Sequence, residues 1–136
     1  MSTITDALPI SLKDLKQHST GIPNITNVST AHIVESGKNL LYDWSPTSNG
    51  WLVLMFQFTT DHYGTIMVAS DTDGTNAIAI AGTGGDNYDY DVQTIPVKKD
   101  YVYRYVKGYG STATWDSGKN TYGLVSAKFI PFDDNL

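Results

Sequence analysis

Apolar and polar positions alternate along this chain in short stretches, and one stretch dominates. Gly50-Trp51-Leu52-Val53-Leu54-Met55-Phe56-Gln57-Phe58 is apolar for longer than any other segment. It holds Val and aromatic residues, has no Pro and is short for a helix, so it predicts a strand. Side chains alternate across a strand, which places Leu52, Leu54, Phe56 and Phe58 on one face. Trp51, Val53, Met55 and Gln57 fall on the other. A half-buried antiparallel strand normally carries one polar face, and here only Gln57 is polar. Both faces are therefore expected to be covered, the second by another subunit.

The same reading continues through the chain. Strands are predicted at 31–35, 39–44, 50–58, 65–70, 76–81, 90–97, 101–107 and 124–132, with a further short one at 111–115. They are separated by turn signals such as Ser36-Gly37-Lys38, Asn49-Gly50, Asp71-Thr72-Asp73-Gly74 and Lys98-Lys99-Asp100. Two longer loops fall at 82–89 and 108–118. With no helical periodicity in this body, the pattern predicts an all-β domain, a jelly-roll β-sandwich of about eight strands. Residues 1–30 read differently. Ser11 caps a helical turn at 11–16, and a Ser/Thr/Asn-rich extended connection follows at 20–30. The expected division is an N-terminal arm (1–30) that docks on another protein, and a β-domain (31–136).

Composition narrows the function classes. The formal net charge is −5 with only 17 % charged residues, and there is no Lys/Arg cluster of the kind a phosphate backbone requires. Nucleic acid is not an expected partner. Residues 1–9 lack the basic and apolar regions of a secretory signal. No apolar run approaches the roughly 18 residues of a spanning helix, so membrane insertion is not expected. Cysteine is absent, which removes thiolate chemistry and disulfides.

Catalytic signatures are absent as well. His18, His32 and His62 lie in an arm, a strand and a turn, with no Gly-x-Ser-x-Gly and no His-Glu-x-x-His. Gly82-Thr83-Gly84-Gly85 lacks the Lys-Ser/Thr of a phosphate loop. No catalytic residue and no cofactor is expected. No metal site is assigned either. Asp71-x-Asp73-Gly74 reads as an Asp-rich turn, not an EF-hand loop. Asp86, Asp89 and Asp91 beside Gly84-Gly85 are the carboxylates best placed for a hard cation, the alternative being a solvated acidic loop.

Two groups of residues point to recognition. The long loops carry Asn87, Tyr88 and Tyr90, then Tyr109, Thr112, Trp115, Asp116 and Asn120. Aromatic rings with amides and carboxylates suit the faces and hydroxyls of a sugar, while Trp115 has the alternative of plugging an end of the sandwich. On the strand at 101–107, Tyr101, Tyr103 and Tyr105 share one side, and Val102, Arg104 and Val106 the other. With the valines inward, three tyrosines form an outward patch that suits a subunit interface beside Trp51, Val53 and Met55. The opposite orientation buries the tyrosines.

The segment Leu41-Tyr42-Asp43-Trp44-Ser45-Pro46-Thr47-Ser48-Asn49-Gly50-Trp51-Leu52 resembles part of the trimeric knob domains on bacteriophage fibres. Ile95-Pro96-Val97-Lys98-Lys99-Asp100-Tyr101-Val102 resembles the Pro-Val-Lys-Lys-Gly-Asp hairpin of those domains, with Asp100 where a Gly-Asp pair is commoner. Ala127-Lys128-Phe129-Ile130-Pro131 resembles their closing strand. The resemblance spans about residues 31–132 and leaves 1–30 unmatched. It implies a jelly roll like that of tumour necrosis factor. It also implies a non-enzymatic homotrimer on the virion exterior, as a head fibre, capsid decoration or tail-fibre tip. Residues 1–30 would attach it to another virion protein, and its loops would face a host-surface glycan. A free carbohydrate-binding module or lectin of the same fold is the competing class. A small β-sandwich hydrolase is a third, and it would need a cleft of convergent carboxylates.

Overall fold

Strand β5 (Gly50–Gln57) runs through the middle of a four-stranded antiparallel sheet. The computed structural model describes residues 22–59, 62–85 and 88–132. The first sheet has the order β1 (Ser29–Thr30), β10 (Leu124–Pro131), β5, β8 (Tyr90–Val97). The second has the order β4 (Tyr42–Trp44), β9 (Val102–Lys107), β6 (His62–Ala69), β7 (Ile78–Gly85). A hairpin of β2 (Ile33–Glu35) and β3 (Lys38–Leu40) stands beside them. Between β1 and β10 the chain changes sheet at every step except the β6–β7 hairpin and the β2–β3 excursion, which gives the jelly-roll order expected. Among the described residues there is no α-helix, only short 3₁₀ turns at Ile25–Asn27 and Gly110–Thr112.

The alternation of β5 holds on its inner side. Leu52, Leu54 and Phe56 are fully buried, and Phe58 just past the strand joins them. They meet Ile66, Tyr103 and Tyr105 from the second sheet and Ala127 and Phe129 from β10. Phe56 packs against Tyr105 at 5.3 Å between ring centres.

Several element boundaries differ from the sequence reading, each for a physical reason. The predicted strand 39–44 divides into β3 and β4, with a register shift between Tyr42 and Trp44 where Asp43 takes φ 57°. An unbroken strand would put both rings on one face. The bulge sends Trp44 into the core and Tyr42 to the outer side of the second sheet. The 82–89 loop is shorter than predicted, because residues 82–85 continue β7 and pair with β6. No strand forms at 111–115. Residues 22–30 lie along the first sheet: Asn24 N–H donates to the Pro131 carbonyl, and Ser29 and Thr30 pair with Phe129 and Lys128. The helical turn read at 11–16 lies outside the described residues.

The three tyrosines of 101–107 do not form an outward patch. Tyr103 and Tyr105 are 3 % and 1 % exposed and face the other sheet, so neither meets a partner. Only Tyr101, just before β9, reaches solvent. Both buried phenols are tied down: the Tyr105 hydroxyl donates to the Tyr122 carbonyl (2.9 Å), and Lys98 N–H donates to the Tyr103 oxygen (2.8 Å). Burial raises both phenol pKa values, since a phenolate in the core would lose its hydration; for Tyr103 the Lys98 donor partly opposes this. A raised phenol pKa contributes stability that is complete below the unfolded value of about 10 and is lost as pH rises above it. The melting temperature should therefore fall steeply above about pH 10, and Tyr105→Phe should flatten that fall. A melting temperature level to pH 11 in the unmodified protein would contradict this.

Candidate functional site

The two sheets treat their outer faces in opposite ways. On the second sheet, Met67 and Ala69 of β6 and Val102 and Val106 of β9 point outward, yet all are buried. The cover is the chain's own 108–121 segment, which leaves β9 at Gly108 and lays Ala113 and Trp115 across the sheet. Arg104 sits in the middle. Its Nε and Nη2 donate to the Asp43 carboxylate (2.5 and 3.2 Å), and Nη1 donates to the Trp115 carbonyl (3.0 Å). Its guanidinium lies 4.2 Å from both the Tyr42 and Trp115 ring centres. Trp115 Nε1 donates to the Thr72 carbonyl at 3.0 Å. The turn below is held by Asp71, whose carboxylate accepts from the Thr75 amide and hydroxyl, and these bonds lower its pKa. Trp115 is 6 % exposed and so is a plug, not a ligand platform.

Among the described residues the first sheet has no such cover. Opposite β5 the register sets Trp51 between Pro96 and Ile130, Val53 between Thr94 and Lys128, and Met55 between Val92 and Ser126. This face is largely apolar, with Met55 and Val92 exposed and Trp51, Val53 and Ile130 half-buried. Phe132 packs edge-on against Trp51. At one end, an opening of about 710 Å³ is lined by Trp51, Pro96, Tyr101 and Phe132 and reaches Val68, Ile80 and Tyr103 between the sheets. The expected cover on the second face of β5 is thus not supplied by the described residues of the chain itself.

A second surface lies at the opposite end, where β6 begins and β9 ends. Here a groove of about 510 Å³ is lined by His62, Tyr63, Lys107, Tyr109, Thr112, Asn120 and Tyr122, with Gly108. The rings are paired: His62 stacks on Tyr122 at 4.0 Å, and Tyr63 lies 5.6 Å from Tyr109 at 55°. Glycines on β7 let two of them lie against the strand. A Cβ at Gly84 would run into the Tyr63 ring, and one at Gly82 would press on Tyr109. Asn120 is 2 % exposed and organises the wall. Its Nδ2 donates to the Tyr63 carbonyl (2.8 Å), and its Oδ1 accepts from Tyr122 N–H (3.0 Å). Asn120 is therefore a positioning residue rather than a ligand contact. Asn120→Ala should cost about 1–3 kcal/mol, because it removes two part-buried hydrogen bonds made by a buried side chain; denaturant unfolding at unchanged m-value would measure it.

The remaining sequence candidates scatter. Tyr88 is exposed, with φ 63°, and Tyr90 lies opposite Gln57 on the open sheet face. Asp116 is exposed on the covering segment, away from the groove lining. Asp89 is exposed, whereas one oxygen of Asp91 accepts from Thr83 and Gln93. Among the described residues no three His, Cys, Asp or Glu side chains are grouped to hold a metal ion. Asp86 and Asn87 lie outside them. No helix among them is long and apolar enough to cross a membrane. Sequence reasoning weighed His62 only for catalysis and missed Tyr63 and Tyr122; the three come together only through the fold. Comparison with protein-family models, with curated proteins and with solved structures finds no match for this chain.

Proposed function

We propose that this chain is a structural protein of a bacteriophage particle, a non-catalytic homotrimer carried on the virion exterior. The observation that carries the reading is the unequal treatment of the two sheets. Among the described residues the 108–121 segment covers one outer face, and none covers the other, which is apolar. A closed ring of three copies, each laying another part of its surface over the open face of the next, would cover it. Trp51, Val53 and Met55 are then interface residues, and Tyr101 lies at the margin.

The placement of the first and last described segments agrees with attachment at one end and display at the other. Pro23 bridges Phe132 at the Gly50 end of β5, whereas the aromatic groove lies at the Gln57 end. With residues 22–30 laid along the first sheet, the part of the 1–30 arm that precedes them would make the junction with another virion protein. The three segments that resemble fibre knob domains also meet at the Gly50 end. Lys99 N–H donates to the Asn49 side chain, Asp100 N–H to the Pro46 carbonyl, and Phe132 N–H to the Asn49 carbonyl. Asp100 has φ 68°, a conformation in which glycine is at ease, which accounts for the commoner Gly there.

The aromatic groove favours a second reading, a free carbohydrate-binding module. Antibody against the purified β-domain separates the two in a lysate of producing cells. Label on particles seen by electron microscopy is the expected result. Label confined to the particle-free fraction would favour the free module and contradict the virion assignment.

A further inference from the structure

We infer that the groove between Tyr63 and Tyr109 is a saccharide-binding site that takes a pyranose ring against these two tyrosines. The inference deepens the reading of a displayed domain and rests on it only for which surface supplies the sugar. Tyr63, Tyr109 and Tyr122 are each about half exposed, at 51 %, 56 % and 52 %, and they share one concave surface with His62. Solvated rings scattered singly need no explanation; rings gathered around one groove on a rigid wall do.

The wall is built in advance. Asn120 fixes the backbone of Tyr63 and Tyr122, the buried Tyr105 hydroxyl holds the Tyr122 carbonyl, and Gly82 and Gly84 seat Tyr109 and Tyr63. Thr112 Oγ1 donates to the Tyr109 carbonyl and so steadies the turn that carries its ring. Little ordering cost remains for a ligand to meet. The chemistry suits a sugar: aromatic faces accept the C–H face of a pyranose, and the phenol and imidazole groups reach its hydroxyls. Among the described residues that line the groove, Lys107 is the one with a fixed charge. That ammonium suits neutral or carboxylated sugars.

The test uses the full chain. A glycan array is followed by titration calorimetry with N-acetylchitotriose and trigalacturonate as neutral and acidic probes. Binding of a saccharide on the array or in solution is expected, weakened about tenfold or more in Tyr109→Ala and again in Tyr63→Ala. The melting temperature of Tyr109→Ala should stay near that of the unmodified protein, since its ring is about half in solvent and outside both core clusters. Retention of binding to an acidic probe but its loss in Lys107→Ala would place the carboxylate beside that ammonium. Absence of binding to every glycan, or binding indifferent to both tyrosines, would overturn the inference. Because the groove lies within one protomer, a monomeric sample that still binds would contradict the trimer and leave the groove standing. A trimer that binds nothing would do the reverse.

Discussion

Trp115→Ala is expected to destabilise the domain by about 3–5 kcal/mol, the usual range for removing a buried large aromatic ring. Small domains carry only about 5–15 kcal/mol in total, so the variant should sit near the edge of folding. The reason is the double role of the ring. It closes the apolar cluster of Met67, Ala69, Val102 and Val106, and it forms one of two aromatic faces against Arg104. Removing it uncovers apolar surface and opens water access to a guanidinium that is otherwise satisfied by Asp43 and two carbonyls. Trp115→Phe should recover much of the loss in a denaturant titration. A midpoint for Trp115→Ala equal to that of the unmodified protein would mean that the 108–121 segment covers nothing of consequence.

Met55→Glu and Val92→Arg, made singly, are expected to convert the proposed trimer to monomers while leaving the protomer folded. Both side chains are exposed in the single chain and oppose each other across β5 and β8, so a charge at either meets water in a monomer. In a closed trimer the same charge would be buried three times without a partner. Each burial would cost several kcal/mol, more than a modest interface can absorb. Sedimentation should show a change in mass, and far-ultraviolet circular dichroism should remain that of the unmodified β-domain. If both variants keep the parent mass, the open face is not where copies meet.

The fold was legible because its evidence is local. Alternation along β5, turn residues between strands and the absence of helical periodicity suffice for a jelly-roll β-sandwich. The orientation of β9 was not legible, and the reason is physical. Tyr103 and Tyr105 on one face and Val102 and Val106 on the other are equally suited to burial, and in fact both faces are buried. One lies against the first sheet and the other under a loop that follows the strand by several residues. No alternation rule ranks two apolar faces. A bulge such as that at Asp43 likewise leaves no trace in the pattern, although it decides which of Tyr42 and Trp44 enters the core.

The candidate groove was half legible. Tyr109 and Asn120 stood out in a long loop, but Tyr63 was hidden in a strand start and Tyr122 in a strand approach. A usable signal was present in the spacing of Gly82 and Gly84. Glycines at alternate positions of a strand clear one face, and that bare strip is what lets neighbouring rings lie down.

The central claim is that the open face of β1-β10-β5-β8 is covered by other copies of the chain. Multi-angle light scattering of the purified full chain at micromolar concentration tests it most directly. The account predicts a single species of about three times the 14.9 kDa protomer mass. A species at the protomer mass, unchanged over a tenfold rise in concentration, would contradict it.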